Sequence, residues 1–160
     1  MRVYLGLGSN LGDRQKHIED AIYLLAAAPG FHLVRCAGLY ESAPVGPSQP
    51  RFLNTALSAD TDLDFPGLLS LCKETEKKVG RVPSFHWGPR AIDVDILAAE
   101  GGVHLSPTLC VPHRELPNRR FALEPLCELC PELIPDHAPG GQSVRKLLSG
   151  VMDQDVRRIC

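Results

Sequence analysis

Residues 86–96 read HWGPRAIDVDI, and the second half of this stretch is an apolar, β-prone run that carries Asp93 and Asp95. Because side chains alternate between the two faces of a strand, both carboxylates project from one face and the apolar residues between them from the other. Two like charges flanked by residues of the buried type are costly unless a cation or a basic side chain neutralises them. A divalent metal ion is the simplest partner for this pair.

The residues before the aspartates favour a binding site over an ordinary strand. An isolated Asp-x-Asp pair is more often a solvated edge strand without a ligand. Here Trp87, Gly88, Pro89 and Arg90 precede the pair and supply an aromatic ring, a rigid turn and a guanidinium. These groups suit a planar or phosphorylated ligand. We therefore interpret the two aspartates as metal ligands.

Outward from this strand, apolar periodicity and turn residues predict alternating strands and helices. The order βαββαβ is that of an α+β, ferredoxin-like sandwich, in which two helices cover one face of an antiparallel sheet. The expected strands are Arg2–Gly8, Phe31–Tyr40, Phe52–Ala59 and Asp93–Ala98, and the expected helices run from the turn at Ser9–Asp13 to about Ala28 and over Leu63–Val79.

The remainder of the chain is expected to form an extension of this unit. Gly101 and Gly102 predict a short hairpin into Val103–Leu105. Residues from Pro112 to Cys160 read as loops and short helices, one of them at Ser143–Leu148.

Composition limits the function classes that need to be considered. The chain has 160 residues, and we expect one domain over residues 1–160. A formal net charge of -2 excludes the basic field that dominates nonspecific nucleic-acid binding, so a polyanion site has to be local. The first residues resemble neither a signal peptide nor a membrane span. We expect a cytoplasmic, monomeric protein without a nucleic-acid or membrane partner.

The cysteines indicate free thiols, because their spacing is scattered and no secretory signal accompanies them. Cys127 and Cys130 form a Cys-x-x-Cys motif within ALEPLCELCPEL. The helical spacing of the leucines around them favours packing over a metal or redox role.

A glycine-rich stretch, GLGSNLG, joins the first strand to the first helix. Exposed backbone amides at such a junction can hold an anion. The pattern is not a dinucleotide-binding motif, since Leu11 stands where the third glycine would fall, and no lysine follows to make a phosphate-binding loop. A tight turn with close packing explains the glycines equally well.

Three further groups of residues could bind parts of a ligand. Phe52 and Asn54 lie two residues apart after the loop 42–50, and an aromatic ring with an amide suits a flat heterocycle. Glu76 and Arg81 lie at the end of the second helix beside several lysines, a pattern that is usually a solvated face.

The third group is the segment VPHRELPNRRFAL, in which three arginines and a histidine precede Phe121. It is a concentrated cationic patch in a mildly acidic protein, and by itself it would be read as a surface cluster without a ligand. Beside the aspartate pair, the side chains of His113, Arg114, Arg119 and Arg120 indicate an anion site. Carboxylates for metal, guanidiniums for phosphate and aromatic rings together predict metal-assisted transfer from a nucleotide to a heterocycle.

Four motifs in order resemble one enzyme family, 6-hydroxymethyl-7,8-dihydropterin pyrophosphokinase of the folate pathway. They are GLGSNLGD, ESAPVG followed by FLN, HWGPRAIDVDIL and VPHRELPNRRFALEPL, collinear from residue 3 to about residue 135. The resemblance implies a transferase that moves the β,γ-diphosphate of ATP to the pterin hydroxymethyl oxygen and releases AMP. It also implies two Mg²⁺ ions held by Asp93 and Asp95.

The resemblance further assigns residues to each substrate. Arg81 and Arg90 would be catalytic together with the two aspartates. The nucleotide side would consist of Lys73, Glu76, Trp87, Arg90, Ile96 beside the adenine, His113, Arg114 and Arg119. The pterin would lie between the rings of Phe52 and Phe121, with its edge read by Ser42, Pro44, Val45 and Asn54.

Several positions depart from the common family pattern. Phe52 stands where tyrosine is frequent, and Pro83 and His86 replace basic residues in the loop 80–90. Lys73 and Arg114 are themselves unusual, and either could supply phosphate contacts that this loop lacks. We expect this loop and the loop 42–50 to close over the substrates and to exclude water.

Two other function classes remain open at this point. A ferredoxin-like module that binds nucleic acid would explain the arginines but gives no reason for the aspartate pair, which would repel a phosphate backbone. A sensor that binds pterin or nucleotide without turnover would not need the complete set of motifs.

Overall fold

Six strands form one antiparallel sheet, and four α-helices cover its two faces, in a computed structural model that describes residues 1–160. The strands are β1 (Arg2–Ser9), β2 (Phe31–Cys36), β3 (Tyr40–Ser42), β4 (Phe52–Thr61), β5 (Asp93–Ala99), β6 (His104–Leu105), β7 (Cys110–Val111) and β8 (Val156–Arg158). The helices are α1 (Arg14–Ala26), α2 (Phe65–Val79), α3 (Arg120–Leu129) and α4 (Val144–Ser149).

The sheet has the strand order β5-β1-β4-β3-β8, and β2 also pairs with β4. Every pairing is antiparallel. β6 and β7 pair only with each other, in a separate two-stranded sheet. The α+β class with an antiparallel sheet is therefore confirmed.

Local sequence signals explain where the first two helices begin and end. The carboxylate of Asp13 accepts a hydrogen bond from the backbone N–H of Lys16, and the carboxylate of Asp64 accepts one from Gly67 at the start of α2. Such caps satisfy amides that have no partner within the helix. α2 ends at Gly80, whose φ of 116° lies in the left-handed region that glycine tolerates best.

Alternation along β1 divides the interior into two cores. Val3, Leu5 and Leu7 face α1 and α2, whereas Tyr4 faces α3 and α4. The sequence predicted two helices on one face of the sheet, where α1 and α2 lie, and it assigned no position to the short helices of the extension. Because the opposite face also carries apolar side chains, among them Leu97, it has to be covered, and α3 and α4 cover it.

The second predicted strand, Phe31–Tyr40, is in fact two strands, β2 and β3, that pair with different parts of the long strand β4. A Cβ atom at Gly38 would lie 2.5 Å from the backbone oxygen of Cys160, so the chain between the strands approaches the C-terminal residue closely. The break therefore follows from a contact between residues far apart in the sequence.

The hairpin expected after Gly101 and Gly102 does not form with β5. Its second strand, β6, pairs with β7 instead. The C-terminal strand β8 was not predicted, and it adds to the edge of the main sheet beside β3. None of the helices is long and apolar enough to cross a membrane.

Candidate active site

A cleft lies on the α3 side of the sheet, between the start of α3 and the loops 43–51 and 80–92. Its floor is built by β1, β4 and β5. The residues that line it include Gly6, Gly8, Ser42, Val45, Phe52, Asn54, Trp87, Arg90, Asp93, Asp95, Arg119 and Phe121. The cleft therefore brings together most of the residues that the sequence assigned to the pterin and to the metal ions, and some of those assigned to the nucleotide.

The glycines of β1 form the middle of this floor. Gly8 pairs with Asp93 on one side and with Asn54 on the other, and Gly6 pairs with Asp95. A Cβ atom at Gly8 would lie 3.3 Å from the amide oxygen of Asn54, and one at Gly6 would lie 3.1 Å from Leu97. The glycines of the GLG motif thus leave room above β1 that side chains would fill. The sequence left anion binding and close packing as alternatives for these glycines, and the structure favours close packing.

Asp93 and Asp95 lie on the cleft face of β5, as strand alternation predicted. Asp93 is paired with the guanidinium of Arg81 at 2.7 Å and with that of Arg90 at 3.5 Å. Asp95 makes no such pair, and burial together with the charge of Asp93 raises the pKa of its carboxyl to about 7.

This donor set fits a magnesium site of the kind completed by a substrate. Hard cations such as Mg²⁺ take carboxylate oxygens, commonly only one or two from the protein, and fill the other positions with water and phosphate oxygens. Asp95 offers unpartnered oxygens, whereas no group of three or more acidic, histidine or cysteine side chains surrounds them to form a complete protein site.

Glu76 fastens α2 to β5 beside the aspartates. Its carboxylate is buried and accepts a hydrogen bond of 2.8 Å from the backbone N–H of Val94. It also pairs with Arg81 at 2.9 Å and with Lys73 at 3.3 Å. A buried carboxylate is stable only with such partners, so Glu76 holds Arg81 in front of Asp93.

A second, more open pocket of about 320 Å³ continues from the cleft and shares Arg90 with it. Its walls carry four cationic side chains, Lys73, Lys77, Arg81 and Arg90. Guanidinium and ammonium groups gathered in this way attract phosphate oxygens. The aspartates thus lie between a basic pocket and an aromatic cleft.

The aromatic end of the cleft combines two rings with a fixed amide. The amide nitrogen of Asn54 donates to the hydroxyl of Ser42 at 2.8 Å, which leaves the amide oxygen toward Gly8. The guanidinium of Arg90 lies 5.3 Å from the ring centre of Phe52, and that of Arg119 lies 5.7 Å from the ring centre of Phe121.

Several residues with an assigned role do not line the cleft. Ile96 is 3% exposed and packs in the core on the other face of β5, as alternation requires, so its side chain has almost no surface for a ligand. Pro44 is half-buried in the loop 43–51. Arg120 is paired with Glu124 at 2.8 Å and points away from the basic pocket.

His113 and Arg114 line a separate groove with residues of the segment 135–138. Nδ1 of His113 accepts a hydrogen bond of 3.1 Å from the backbone N–H of Glu115, so this nitrogen carries no proton. Burial and the charge of Arg119 lower the pKa of the His113 ring. With Nδ1 as the acceptor, Nε2 is the ring nitrogen left to donate to a phosphate.

Asn10 was missed by the sequence analysis and lies at the centre of the loop contacts. Its side chain donates to Gln49 at 2.8 Å and to the backbone oxygen of Pro50 at 3.0 Å, and accepts from the backbone N–H of Arg90 at 2.9 Å. Gln49 in turn donates to the backbone oxygen of Trp87 at 2.6 Å. Both loops that border the cleft are thus joined through one buried amide.

Comparison with known proteins agrees with the motifs. A family model described as 7,8-dihydro-6-hydroxymethylpterin-pyrophosphokinase (HPPK) matches residues 4–131. Over 99% of its length the chain is 41% identical to the 2-amino-4-hydroxy-6-hydroxymethyldihydropteridine pyrophosphokinase of Methylorubrum extorquens, of which it covers 98%. The enzyme of the same name from Pseudomonas aeruginosa is 37% identical, with 99% of this chain and 96% of that protein covered.

A solved structure shares the fold at low sequence identity. The wild-type HPPK-DHPS of Plasmodium falciparum superposes with a TM-score of 0.74 over 99% of this chain, at 14% identity, and the chain spans 47% of that longer protein. The sequence matches extend over nearly the whole chain and include all four motifs. The chain therefore belongs to the 7,8-dihydro-6-hydroxymethylpterin-pyrophosphokinase family.

Proposed function

We propose that this chain transfers the diphosphate of ATP to the hydroxymethyl group of 6-hydroxymethyl-7,8-dihydropterin and releases AMP, a step of folate biosynthesis. Family membership supports the reaction. The observation that carries it is the position of Asp93 and Asp95 between a basic pocket and an aromatic cleft. A phosphate donor in the basic pocket and a flat acceptor in the aromatic cleft would meet beside these carboxylates.

The pterin occupies the aromatic end of the cleft in this proposal, with its ring between Phe52 and Phe121. Asn54 supports the assignment, because its amide oxygen can accept from the pterin edge while Ser42 holds the amide in place. Backbone groups of the loop 43–51, at Pro44 and Val45, provide further donors and acceptors beside the ring.

The nucleotide phosphates occupy the basic pocket. Arg81 and Arg90 lie nearest to the aspartates, and their charges stabilise the negative charge on the transferred group. The proposed contacts of the remaining nucleotide are Trp87 and Arg119 on the cleft, His113 and Arg114 in the separate groove, and Lys73 in the wall of the basic pocket. Glu76 contributes by orienting Arg81. Because the side chain of Ile96 is buried, any contact of this residue with the adenine would be made by its backbone.

Asp93 and Asp95 would hold two Mg²⁺ ions. When bound, these ions supply charge neutralisation on the phosphates and lower the pKa of the attacking hydroxyl. Bound cations would offset the repulsion between the two carboxylates, and Arg81, which is paired with Asp93 in this structure, would lie within reach of the phosphates.

The loops 43–51 and 80–92 exclude water from the reacting groups. Trp87 supports this role, since it is 46% exposed and lies against Gly46, where a Cβ atom would be 3.0 Å from the indole ring. Exclusion of water limits hydrolysis of ATP, which competes with transfer to the pterin.

We also propose a fold type, a domain extent and an oligomeric state for this enzyme. The strand order β5-β1-β4-β2 supports a ferredoxin-like unit that β3 and β8 extend, within one domain over residues 1–160. We propose that the enzyme acts as a cytoplasmic monomer.

The test is an assay of nucleotide products. The protein is incubated with ATP, Mg²⁺ and 6-hydroxymethyl-7,8-dihydropterin, and AMP is expected in amounts that match the diphosphorylated pterin. Formation of ADP would indicate an ordinary kinase, and binding without any product would indicate a sensor; either result overturns the proposal.

A further inference from the structure

The last strand and the residues before it contact both walls of the aromatic cleft. We call residues 152–158 the C-terminal segment; it lies outside the 4–131 range that the family model matches. Its two neighbouring residues Gln154 and Asp155 bind different elements. Gln154 contacts the start of α3, which carries Phe121, and Asp155 contacts the loop 43–51, which precedes Phe52.

Asp155 holds both ends of the loop 43–51. Its backbone oxygen accepts a hydrogen bond of 3.2 Å from the N–H of Ala43, at the beginning of the loop. Its carboxylate accepts two hydrogen bonds, of 2.7 and 3.0 Å, from the guanidinium of Arg51, at the end of the loop. A bidentate pair of this kind fixes the direction of the guanidinium as well as its distance. Phe52 follows Arg51 directly.

Gln154 holds the chain around the first residue of α3. Its side-chain oxygen accepts from the backbone N–H of Arg120 at 2.9 Å, and its side-chain nitrogen donates to the backbone oxygen of Asn118 at 2.7 Å. The guanidinium of Arg120 reaches back to the backbone oxygens of Met152 and Gln154 at 2.9 and 2.8 Å. Phe121 is the next residue, so its backbone is fixed by these contacts.

The segment can act as a fixed reference because it belongs to the sheet. β8 pairs with β3 in the register Ser42 to Val156, and Val156 is buried. The guanidinium of Arg157 on β8 also donates to the carboxylate of Glu41, its neighbour on β3, at 2.9 Å. Gln154 and Asp155 directly precede β8, so the start of α3 and the loop 43–51 are both attached to the same strand of the sheet.

We propose that Gln154 and Asp155 are positioning residues for the pterin, which set the separation of the rings of Phe52 and Phe121 by holding the two walls to one strand. The inference rests on the proposed place of the pterin between these rings. Neither residue lines the cleft, so neither touches the substrate. Binding of the flat ring depends on the gap between the walls, whereas the basic pocket proposed for the phosphates is built by α2 and the loop 80–92.

The test compares Gln154→Ala, Asp155→Ala and the double variant with the wild type. We expect the double variant to raise the KM for the pterin about tenfold, the factor that corresponds to loss of one or two net hydrogen bonds. The KM for ATP should change less than about twofold in Asp155→Ala, because Asp155 contacts only the loop 43–51. Gln154 also binds the backbone on both sides of Arg119, which the proposal places on the nucleotide, so the comparison with ATP is made on Asp155→Ala. Asp153→Ala is the matched control, since this exposed neighbour makes no side-chain hydrogen bond or ion pair.

A direct binding measurement separates this inference from the function on which it rests. Pterin is titrated in the presence of Mg²⁺ and a non-hydrolysable ATP analogue, and thermal unfolding of each variant is recorded beside it. An unchanged pterin affinity in the double variant, or an equal loss of ATP and pterin affinity in Asp155→Ala, overturns the inference. Absence of AMP formation by the wild type would instead overturn the function. If Phe121→Ala left pterin affinity unchanged, the assigned place of the pterin would be wrong.

Discussion

Replacement of Asn10 by alanine is the sharpest test of how the two cleft loops are held. The side chain is 2% exposed and makes three hydrogen bonds of 2.8 to 3.0 Å, to Gln49, Pro50 and the backbone of Arg90. Each such bond contributes about 1 kcal/mol net, and their loss leaves partners that water has to reach. Asn10→Ala should therefore lower the free energy of unfolding by about 3 kcal/mol.

The assay is urea unfolding followed by circular dichroism, with tryptophan fluorescence recorded in parallel. Trp87 is the single tryptophan of the chain, and its backbone oxygen is bound by Gln49, so its emission reports the loop 80–92. We expect the emission of Asn10→Ala to resemble that of a more solvated indole before unfolding begins. Misplaced loops should also lower kcat/KM about tenfold or more.

Asn118→Ala provides a matched control, because Asn118 is exposed and its side chain makes one hydrogen bond, at 3.4 Å. A double-mutant cycle of Asn10→Ala with Gln49→Ala should give a coupling energy of about 1 kcal/mol for their shared bond. A loss in Asn10→Ala of less than about 1 kcal/mol, with unchanged fluorescence, would refute the reasoning.

Four further predictions concern the site itself. Asp95→Asn should reduce AMP formation by about a thousandfold or more with an unchanged circular dichroism spectrum, and a variant that retained a tenth of the activity would contradict the metal assignment. In Mg²⁺-free buffer the raised pKa of Asp95, about 7 against 3.8, removes stability as pH rises through this range, because the unfolded chain releases the proton first. Thermal unfolding of Asp95→Asn should lack this fall. Trp87→Ala should raise the KM for ATP and slow turnover while the unfolding temperature stays within a few degrees; unchanged kinetics would count against its role. Glu76→Ala leaves the N–H of Val94 unpaired and should cost about 3 kcal/mol of unfolding free energy, whereas Glu76→Gln keeps an acceptor and should cost less.

The sequence predicts well what depends on neighbours along the chain. Strand alternation places Asp93 and Asp95 on one face, and the caps and apolar periodicity locate α1 and α2 to within a few residues. These features depend on interactions over three or four residues, so they are visible in a short window.

Features that depend on distant contacts could not be predicted. The break between β2 and β3 accompanies the approach of Cys160 to Gly38, and β8 has only three residues and no apolar alternation. In the sequence Asn10 is indistinguishable from an ordinary turn residue. Its partners lie about 40 and 80 residues away, so no short window shows them. For Ile96, strand alternation predicted a side chain in the core, whereas the family resemblance placed this residue beside the adenine. In the structure its side chain lies in the core.

The bare floor of the cleft has a consequence for which molecules the protein can accept. Because Gly6 and Gly8 carry no side chains, a flat molecule above them would rest on the peptide planes of β1 itself. The backbone of a central strand, hydrogen-bonded on both sides, does not adapt in the way a side chain does. The thickness of a ligand that fits the cleft is thus limited by the most rigid part of the sheet. A methyl group added at Gly8 would lie 3.3 Å from the amide oxygen of Asn54, and one added to the face of the ligand would need the same space.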